Sequence, residues 1–131
     1  MAGEEMADDT TRGELTTRIL AMPADTNPAG DIFGGWVMSQ MDIAGGLAAN
    51  QAAHGRVVMV AVDAMHFIRP VKVGDVLCVY TELGKVGHTS MKVHVEAWAL
   101  RALSNVREKV IHAQFTYVAV DADGKPRSVR G

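Results

Sequence analysis

Five stretches of the chain carry patterns that predict β-strands. The clearest runs from Met91 to Ala99, where apolar residues at every second position alternate with Lys, His and Glu until Trp98 interrupts the polar side. A period of two is typical of a strand that buries one face. Four other stretches are rich in apolar or β-branched residues and are bounded by turn formers. They cover residues 15–22, 56–68, 76–83 and 110–120.

A single helix is predicted from Trp36 to about Gln51. Apolar residues recur along it at spacings of three and four, and others cover the neighbouring face. These positions are Trp36, Val37, Met41, Ile43, Ala44, Leu47 and Ala48. The stretch Pro23–Gly30 before the helix collects turn formers and predicts a loop. Because the helix is apolar over most of its circumference, we expect it to be buried on nearly all sides.

The order of these elements predicts an α+β domain. One strand, a loop and one helix precede four strands joined by short turns, an arrangement that favours an antiparallel sheet. Several predicted strands exceed the usual length of about five or six residues, so we expect a curved sheet wrapped around the helix. A sheet with a single helix leaves strand edges and one face uncovered, and we therefore expect a homodimer or a larger assembly.

Length and charge narrow the class of protein. A chain of 131 residues is expected to form one domain. Residues 1–13 are polar and acidic and predict a mobile tail, which leaves 14–131 as the folded unit. Thirteen basic against fifteen acidic residues give a net charge of -2, which argues against nucleic-acid binding. No apolar run approaches the roughly 18 residues of a membrane helix, so no membrane association is expected.

Cysteine, serine and histidine give weak signals for chemistry. Cys78 is the only cysteine, which excludes an internal disulfide and fits a reducing, cytoplasmic location. The acidic start of the chain does not resemble a secretion signal. Ser39 lacks the G-x-S-x-G pattern, so no serine esterase activity is expected. The five histidines lie on separate predicted elements without metal-ligand spacing, and no metal site is expected.

Asp42 stands out because it is a carboxylate in the middle of an apolar helix. The residues that share its face are mostly small, and they include the adjacent pair Gly45 and Gly46. A glycine inside a helix costs about 1 kcal/mol relative to alanine, which indicates that a ligand or another part of the protein approaches closely here. A partly buried carboxylate is typical of a functional acid or base. A carboxylate that points to solvent, or that bonds a neighbouring strand, explains the residue equally well.

Gly34 and Gly35 stand at the predicted start of the helix. Free backbone N–H groups and the positive end of the helix dipole at such a place can polarise a carbonyl or bind an anion. Neither the G-x-G-x-x-G spacing nor a following Lys-Ser/Thr pair is present, so no nucleotide signature is found. A tight glycine turn is the simpler interpretation of this pair taken alone.

Three segments of the chain resemble the YciA-type acyl-CoA thioesterases of the hot-dog fold superfamily. Ala21–Asp42 carries N-x-x-G-x-x-x-G-G followed by a helical aspartate, and the others are His54–Val58 and Phe67–Asp75. The likeness extends from about Arg18 to Arg127. It implies the hot-dog fold, an antiparallel sheet around one long helix, and hydrolysis of acyl-CoA. It also implies a homodimer with two active sites at its interface, commonly assembled as a trimer of dimers.

The resemblance also implies site residues. Asp42 matches the catalytic carboxylate of the family and Asn27 its catalytic asparagine, and the two are expected to face each other across the dimer. The amides of Gly34 and Gly35 would then hold the oxyanion. Coenzyme A contacts are implied at Val60, Ala61 and Val62 and at Thr89, Ser90 and Met91. We add Arg56 and Lys85 as candidate partners of the phosphates.

The expected reaction is hydrolysis of an acyl-CoA thioester to a carboxylic acid and coenzyme A, with no cofactor beyond substrate and product. Asp42 is a candidate general base toward water or a candidate nucleophile through an anhydride, and the sequence does not choose. A hot-dog dehydratase would need a histidine near the helix, and Asn27–Asp42 contains none. A non-catalytic acyl-CoA sensor would need a DNA-binding domain that a tail of about a dozen residues cannot hold.

Overall fold

A computed structural model describes residues 10–131, which form one helix packed against one antiparallel sheet. The strands are β1 (Glu14–Leu20), β2 (Val57–Phe67), β3 (Val76–Val86), β4 (Ser90–Leu100) and β5 (Arg107–Ala119), and the long helix is α1 (Gly34–Ala53). The strands lie side by side in the order β1-β3-β4-β5-β2. The predicted α+β class, with a sheet around one helix, is confirmed.

The predicted elements agree with the observed ones except at their ends. The strand predicted to stop at Leu83 continues to Val86, because that residue still pairs with Met91 on β4. The helix begins two residues earlier than predicted, at Gly34. Residues 1–9 of the predicted tail lie outside the described residues. Within 10–13, the amide of Arg12 donates a hydrogen bond to Glu96, 3.2 Å from Oε1.

The core lies between α1 and the inner face of the sheet. Strand alternation turns every second residue of β4 and β5 toward the helix, and these side chains are at most 2% exposed. They are Met91, Val93, Val95, Ala97, Ala99, Ile111, Ala113, Phe115 and Tyr117. The buried side of the helix that packs against them is a stripe of mostly small residues: Val37, Met41, Ala44, Gly45, Ala49 and Ala53. Small side chains let the helix lie close to the strands.

The opposite side of α1 is not covered. Ile43 and Leu47 are 52% and 54% exposed, so the prediction that the helix is buried on nearly all sides is wrong for the single chain. The physical reason is that one sheet covers only one side of a helix. In the part of the chain that the structure describes, no helix combines the length and the hydropathy that a membrane span requires.

Glu96 is a buried carboxylate on the outer face of the sheet, 3% exposed. The indole N–H of Trp98 donates to its Oε1 at 2.9 Å, His94 Nε2 lies 2.9 Å from Oε2, and Lys109 Nζ lies 3.7 Å from the same oxygen. Burial raises the pKa of the Glu96 carboxyl, but the hydrogen bonds from His94, Trp98 and the Arg12 amide outweigh it. The pKa of Glu96 is therefore below its ordinary value.

We expect Glu96→Gln to lower the free energy of unfolding at neutral pH by about 1–3 kcal/mol, because it weakens hydrogen bonds to a buried charge. The unfolded carboxyl takes up a proton more readily than the folded one. The stability that the Glu96 carboxylate gives to the folded protein is therefore complete above pH 4.5 and is lost as the pH falls through the lower pKa of the folded state.

Urea unfolding over the acid range measures both effects. Glu96→Gln should flatten the loss of stability below pH 4.5, whereas Glu14→Gln, on an exposed residue of β1, should leave the wild-type profile. An unchanged acid profile in Glu96→Gln would contradict the assignment.

Candidate active site

Asp42 lies in the middle of α1, half-buried, on the side that meets the end of β5. The hydroxyl of Tyr117 donates to Asp42 Oδ1 at 2.8 Å and lies 3.2 Å from the backbone oxygen of the same residue. Burial, the hydrogen bond to Asp42 and the charge of Asp42 raise the pKa of Tyr117 far above its ordinary value. The phenol therefore stays protonated and remains a donor. The Asp42 carboxylate therefore accepts a hydrogen bond from a neighbouring strand, which is one of the interpretations that the sequence left open.

The close approach predicted beside Asp42 is made by Tyr117. A Cβ added to Gly45 would stand 2.6 Å from the Tyr117 hydroxyl oxygen and 3.3 Å from the ring of Phe115. Only a residue without a side chain fits there. At Gly46 the nearest atom to an added Cβ is 3.9 Å away, so that glycine is under no such constraint. The sequence identified the face of small residues around Asp42 but did not identify Tyr117, because β5 contacts α1 only in the folded chain.

Asp42 also faces open space. It lines a cavity of about 500 Å³, together with the predicted phosphate partner Arg56. The other lining residues are Ile43, Gly46, Leu47, Asn50 and Val57. The helix ends at Ala53, and His54 adopts a left-handed backbone conformation with φ 54°. This turn brings Arg56 back beside the helix, so the structure places a carboxylate and an exposed guanidinium at one cavity.

Asn27 lies in the loop before α1 and borders a different cavity. Its Oδ1 accepts the backbone N–H of Ala29 at 3.0 Å and of Asp31 at 3.1 Å. Among residues 10–131 the side-chain amide of Asn27 donates no hydrogen bond, so its N–H groups are free to bind a ligand. The cavity, about 350 Å³, is shared with Gly34 and Phe67.

The start of α1 presents unused donors. The N–H groups of Trp36 and Val37 reach the backbone oxygen of Phe33 at 3.1 and 3.3 Å. Those of Gly34 and Gly35 find no acceptor in the described part of the chain. The first N–H groups of a helix carry the positive end of its dipole. The two amides are therefore free to donate to an anionic oxygen at this end of the helix, which is the role that the resemblance implies for them.

A single chain does not bring these two groups of residues together. Asp42 stands eight residues beyond Gly34, which at 1.5 Å per residue is about 12 Å along the helix. Asn27 and Gly34 border one cavity and Asp42 borders the other.

The predicted coenzyme A positions lie at one end of the sheet. Ser90 pairs with Val118 of β5, and Val118 pairs with Val58 of β2, so three neighbouring strands meet there. Other predicted positions around this end are exposed or partly exposed; they are Val60, Ala61, Val62, Lys85 and Thr89. Met91 is the exception, since its side chain is fully buried in the core. Only its backbone could meet a ligand.

Three histidines that the sequence separates come together on the outer face of the sheet. His66 stacks on His112 with ring centroids 4.9 Å apart, and His94 lies 6.4 Å from His112. Sequence spacing could not show this, because strand register across β2, β5 and β4 brings them together. Within residues 10–131, no group of three or more His, Cys, Asp or Glu side chains is arranged to hold a metal ion.

Known proteins are similar to this chain in sequence and in fold. Residues 29–102 match the family described as the thioesterase superfamily. The chain is 56% identical over 123 residues to the acyl-CoA thioester hydrolase YciA of Salmonella typhimurium, a match that covers 92% of each protein. It is similar to a hexameric thioesterase from Yersinia pestis, at 53% identity and a TM-score of 0.89 over 93% of this chain and 99% of that one. A hexameric hotdog-fold thioesterase of Campylobacter jejuni is 44% identical, with a TM-score of 0.84 over 88% and 90%.

The two adjacent glycines of α1 should respond in opposite ways to alanine. Gly46→Ala should raise the free energy of unfolding by up to about 1 kcal/mol, through helix propensity alone. Gly45→Ala should lower it by about 1–3 kcal/mol, because the new methyl group overlaps the hydroxyl of the buried Tyr117 and must displace it. Thermal and urea unfolding of both variants, compared at equal oligomeric state, measure the difference. Equal effects at the two positions would contradict the packing described for Gly45.

Proposed function

The chain belongs to the thioesterase superfamily as a YciA-type acyl-CoA thioester hydrolase, and we propose that each active site joins Asp42 of one subunit to Asn27, Gly34 and Gly35 of another. The observation that carries this proposal is the position of Asp42. It is the one charged residue of α1, it is held by a buried tyrosine, and it borders an open cavity beside a cation.

An acyl-CoA substrate fits the charge and shape of this cavity. Coenzyme A carries phosphates at one end and a thin pantetheine arm that ends in the thioester sulfur. Arg56 lines the Asp42 cavity. Lys85 is exposed at the end of the sheet that carries Val58 and Ser90. Two local cations suit phosphates without a basic protein overall. Gly46, with no side chain, leaves room beside Asp42 for the arm.

A second copy of the chain would complete the site. β2 is an edge strand with nearly every residue exposed, and its apolar side chains are 38–57% exposed at Val58, Met59, Val60 and Val62. A long apolar edge is a template for pairing with another strand. Pairing of two β2 strands would cover it and would bring the uncovered sides of two α1 helices together. The hexameric state named for both solved relatives supports further assembly of such dimers into a trimer.

In the proposed shared site, hydrolysis would use the carboxylate of Asp42 and the amides of Asn27, Gly34 and Gly35. Asp42 takes a proton from water as the water oxygen attacks the thioester carbonyl, which becomes a tetrahedral oxyanion. The amides of Gly34 and Gly35 and the side-chain amide of Asn27 donate to that oxygen. Collapse breaks the carbon–sulfur bond and expels the thiolate of coenzyme A, which receives the proton. A positioned base contributes typically 10²–10⁴-fold and one oxyanion donor on the order of 10²–10³-fold.

The rival functions differ from hydrolysis in observable ways. A dehydratase would act on the acyl chain and release no thiol, and a sensor would bind acyl-CoA without turnover. If water attacks the Asp42 carbonyl of an anhydride, oxygen from labelled water enters the carboxylate of the protein during a single turnover. General-base catalysis places it only in the product acid, so label in Asp42 would identify the anhydride. A cytoplasmic location, expected from the sequence, stays a prediction.

Asp42→Asn should lower kcat for acyl-CoA hydrolysis by about 10²–10⁴-fold, because the amide cannot accept a proton from water. Coenzyme A binding and the oligomer should persist, since the amide keeps the size of the side chain. Release of free thiol gives the rate, and calorimetry gives the binding. Asp123→Asn, on an exposed turn beyond β5, is the matched control and should behave as wild type. Near-wild-type turnover by Asp42→Asn would refute the assignment.

Mixing Asp42→Ala with Asn27→Ala chains tests the shared site. Each variant alone should be inactive. A fully exchanged equal mixture contains about one half heterodimers, each with one intact site, so about one quarter of wild-type activity should return. Subunit exchange is verified by native mass spectrometry. Exchange without recovered activity would show that Asp42 and Asn27 do not act across the dimer.

A further inference from the structure

We infer that Tyr117 is a positioning residue for the catalytic carboxylate: its hydroxyl holds Asp42 Oδ1 and leaves Oδ2 to take the proton from water, and Gly45 is the residue that admits it. This inference rests on the proposed function of Asp42. The hydrogen bond of 2.8 Å is the only one that a side chain among residues 10–131 donates to the carboxylate of Asp42.

The hydroxyl is held in place by the sheet. Tyr117 is 2% exposed, and its backbone lies in the middle of a three-strand row, paired with Met91 on β4 and with Met59 on β2. The ring of Phe115 packs edge-on against it at 6.3 Å and 62°. A phenol confined in this way has few rotamers to lose. It therefore orients the carboxylate with little entropic cost at the moment of reaction.

The chemistry of the donor suits a catalytic base. Burial, and then the hydrogen bond and charge of Asp42, keep the Tyr117 hydroxyl protonated at the pH values where a carboxylate is ionised. Tyr117 therefore donates to Asp42 Oδ1 and fixes which of the two carboxylate oxygens is free to accept a proton from water.

Gly45 belongs to the same arrangement. It stands one helical turn beyond Asp42, and an added Cβ would lie 2.6 Å from the Tyr117 oxygen and 3.3 Å from its ring. An alanine there would have to displace the hydroxyl from the carboxylate. The position of this oxygen atom therefore explains why the chain carries a glycine here, although glycine lowers the stability of a helix.

A purely structural role is the competing explanation. Buried tyrosines usually satisfy their hydroxyl, and this one would also fasten α1 to β5. Such a fastening changes thermal stability but has no reason to lower kcat while KM stays the same. The two explanations are therefore separated by measuring kcat and KM beside the melting temperature.

Tyr117→Phe removes one oxygen and leaves the ring. We expect kcat for acyl-CoA hydrolysis to fall about 10- to 100-fold, the range for loss of a hydrogen bond to a charged group. KM should change less than about twofold, because Tyr117 is 2% exposed and its ring stays in place. The matched control is Tyr80→Phe, whose hydroxyl accepts from Arg107 at 3.1 Å on the outer face of the sheet, and which should keep the wild-type kcat and KM.

Gly45→Ala provides a second line of evidence. It should lower kcat with little change in KM, as Tyr117→Phe does. In the Tyr117→Phe background it should lower kcat little further, because the displaced oxygen is already gone. Independent, additive effects in the double variant would count against the shared arrangement. If Gly45→Ala does not fold, Tyr117→Phe alone decides.

The outcomes for this inference and for the proposed function are distinct. Full activity in Asp42→Asn would overturn the proposed function itself. Loss of activity in Asp42→Asn, together with a wild-type kcat in Tyr117→Phe, would overturn only the role of Tyr117. A lower melting temperature in Tyr117→Phe with unchanged kinetics would show that the contact is structural and would also overturn it.

Discussion

The close contact between α1 and the inner face of the sheet is the constraint on which the rest of the structure depends. The helix meets β4 and β5 through small residues such as Ala44, Gly45 and Ala49, each buried. Because no large side chain separates them, the helix axis lies near the strands and its rotation is set by the strip of small residues. That rotation turns Asp42 toward Tyr117 on one side and toward open space on the other.

The same constraint leaves the single chain incomplete. A helix that buries one narrow strip exposes its other side, where Ile43 and Leu47 are half uncovered. The neighbouring edge strand β2 is apolar and exposed along nearly its whole length. The two groups of candidate catalytic residues lie in separate cavities of one subunit. The pairing of two chains that we propose would cover the exposed side of α1 and the edge of β2, and it would join the two cavities into one site.

Sequence patterns predicted the fold well because its elements are locally encoded. Alternation in Met91–Ala99 and the three-and-four spacing from Val37 to Ala48 each follow from one period of the backbone. The same patterns could not show which side of α1 would be covered, since that depends on how many layers one chain can supply. They predicted a helix buried on nearly all sides, and the single layer of sheet leaves one side open.

For the candidate site, the sequence by itself determined the chemical groups: an isolated carboxylate at Asp42, a glycine pair at the start of the helix, and two more glycines beside the carboxylate. Only the tertiary structure decided what those groups meet. Tyr117 is 75 residues from Asp42 along the chain, and its register on β5 places its hydroxyl where Gly45 leaves room. Strand pairing also gathered His66, His94 and His112 on one face and buried Met91 in the core. Long-range contacts of this kind follow from register and packing between elements, and no local pattern of residues contains them.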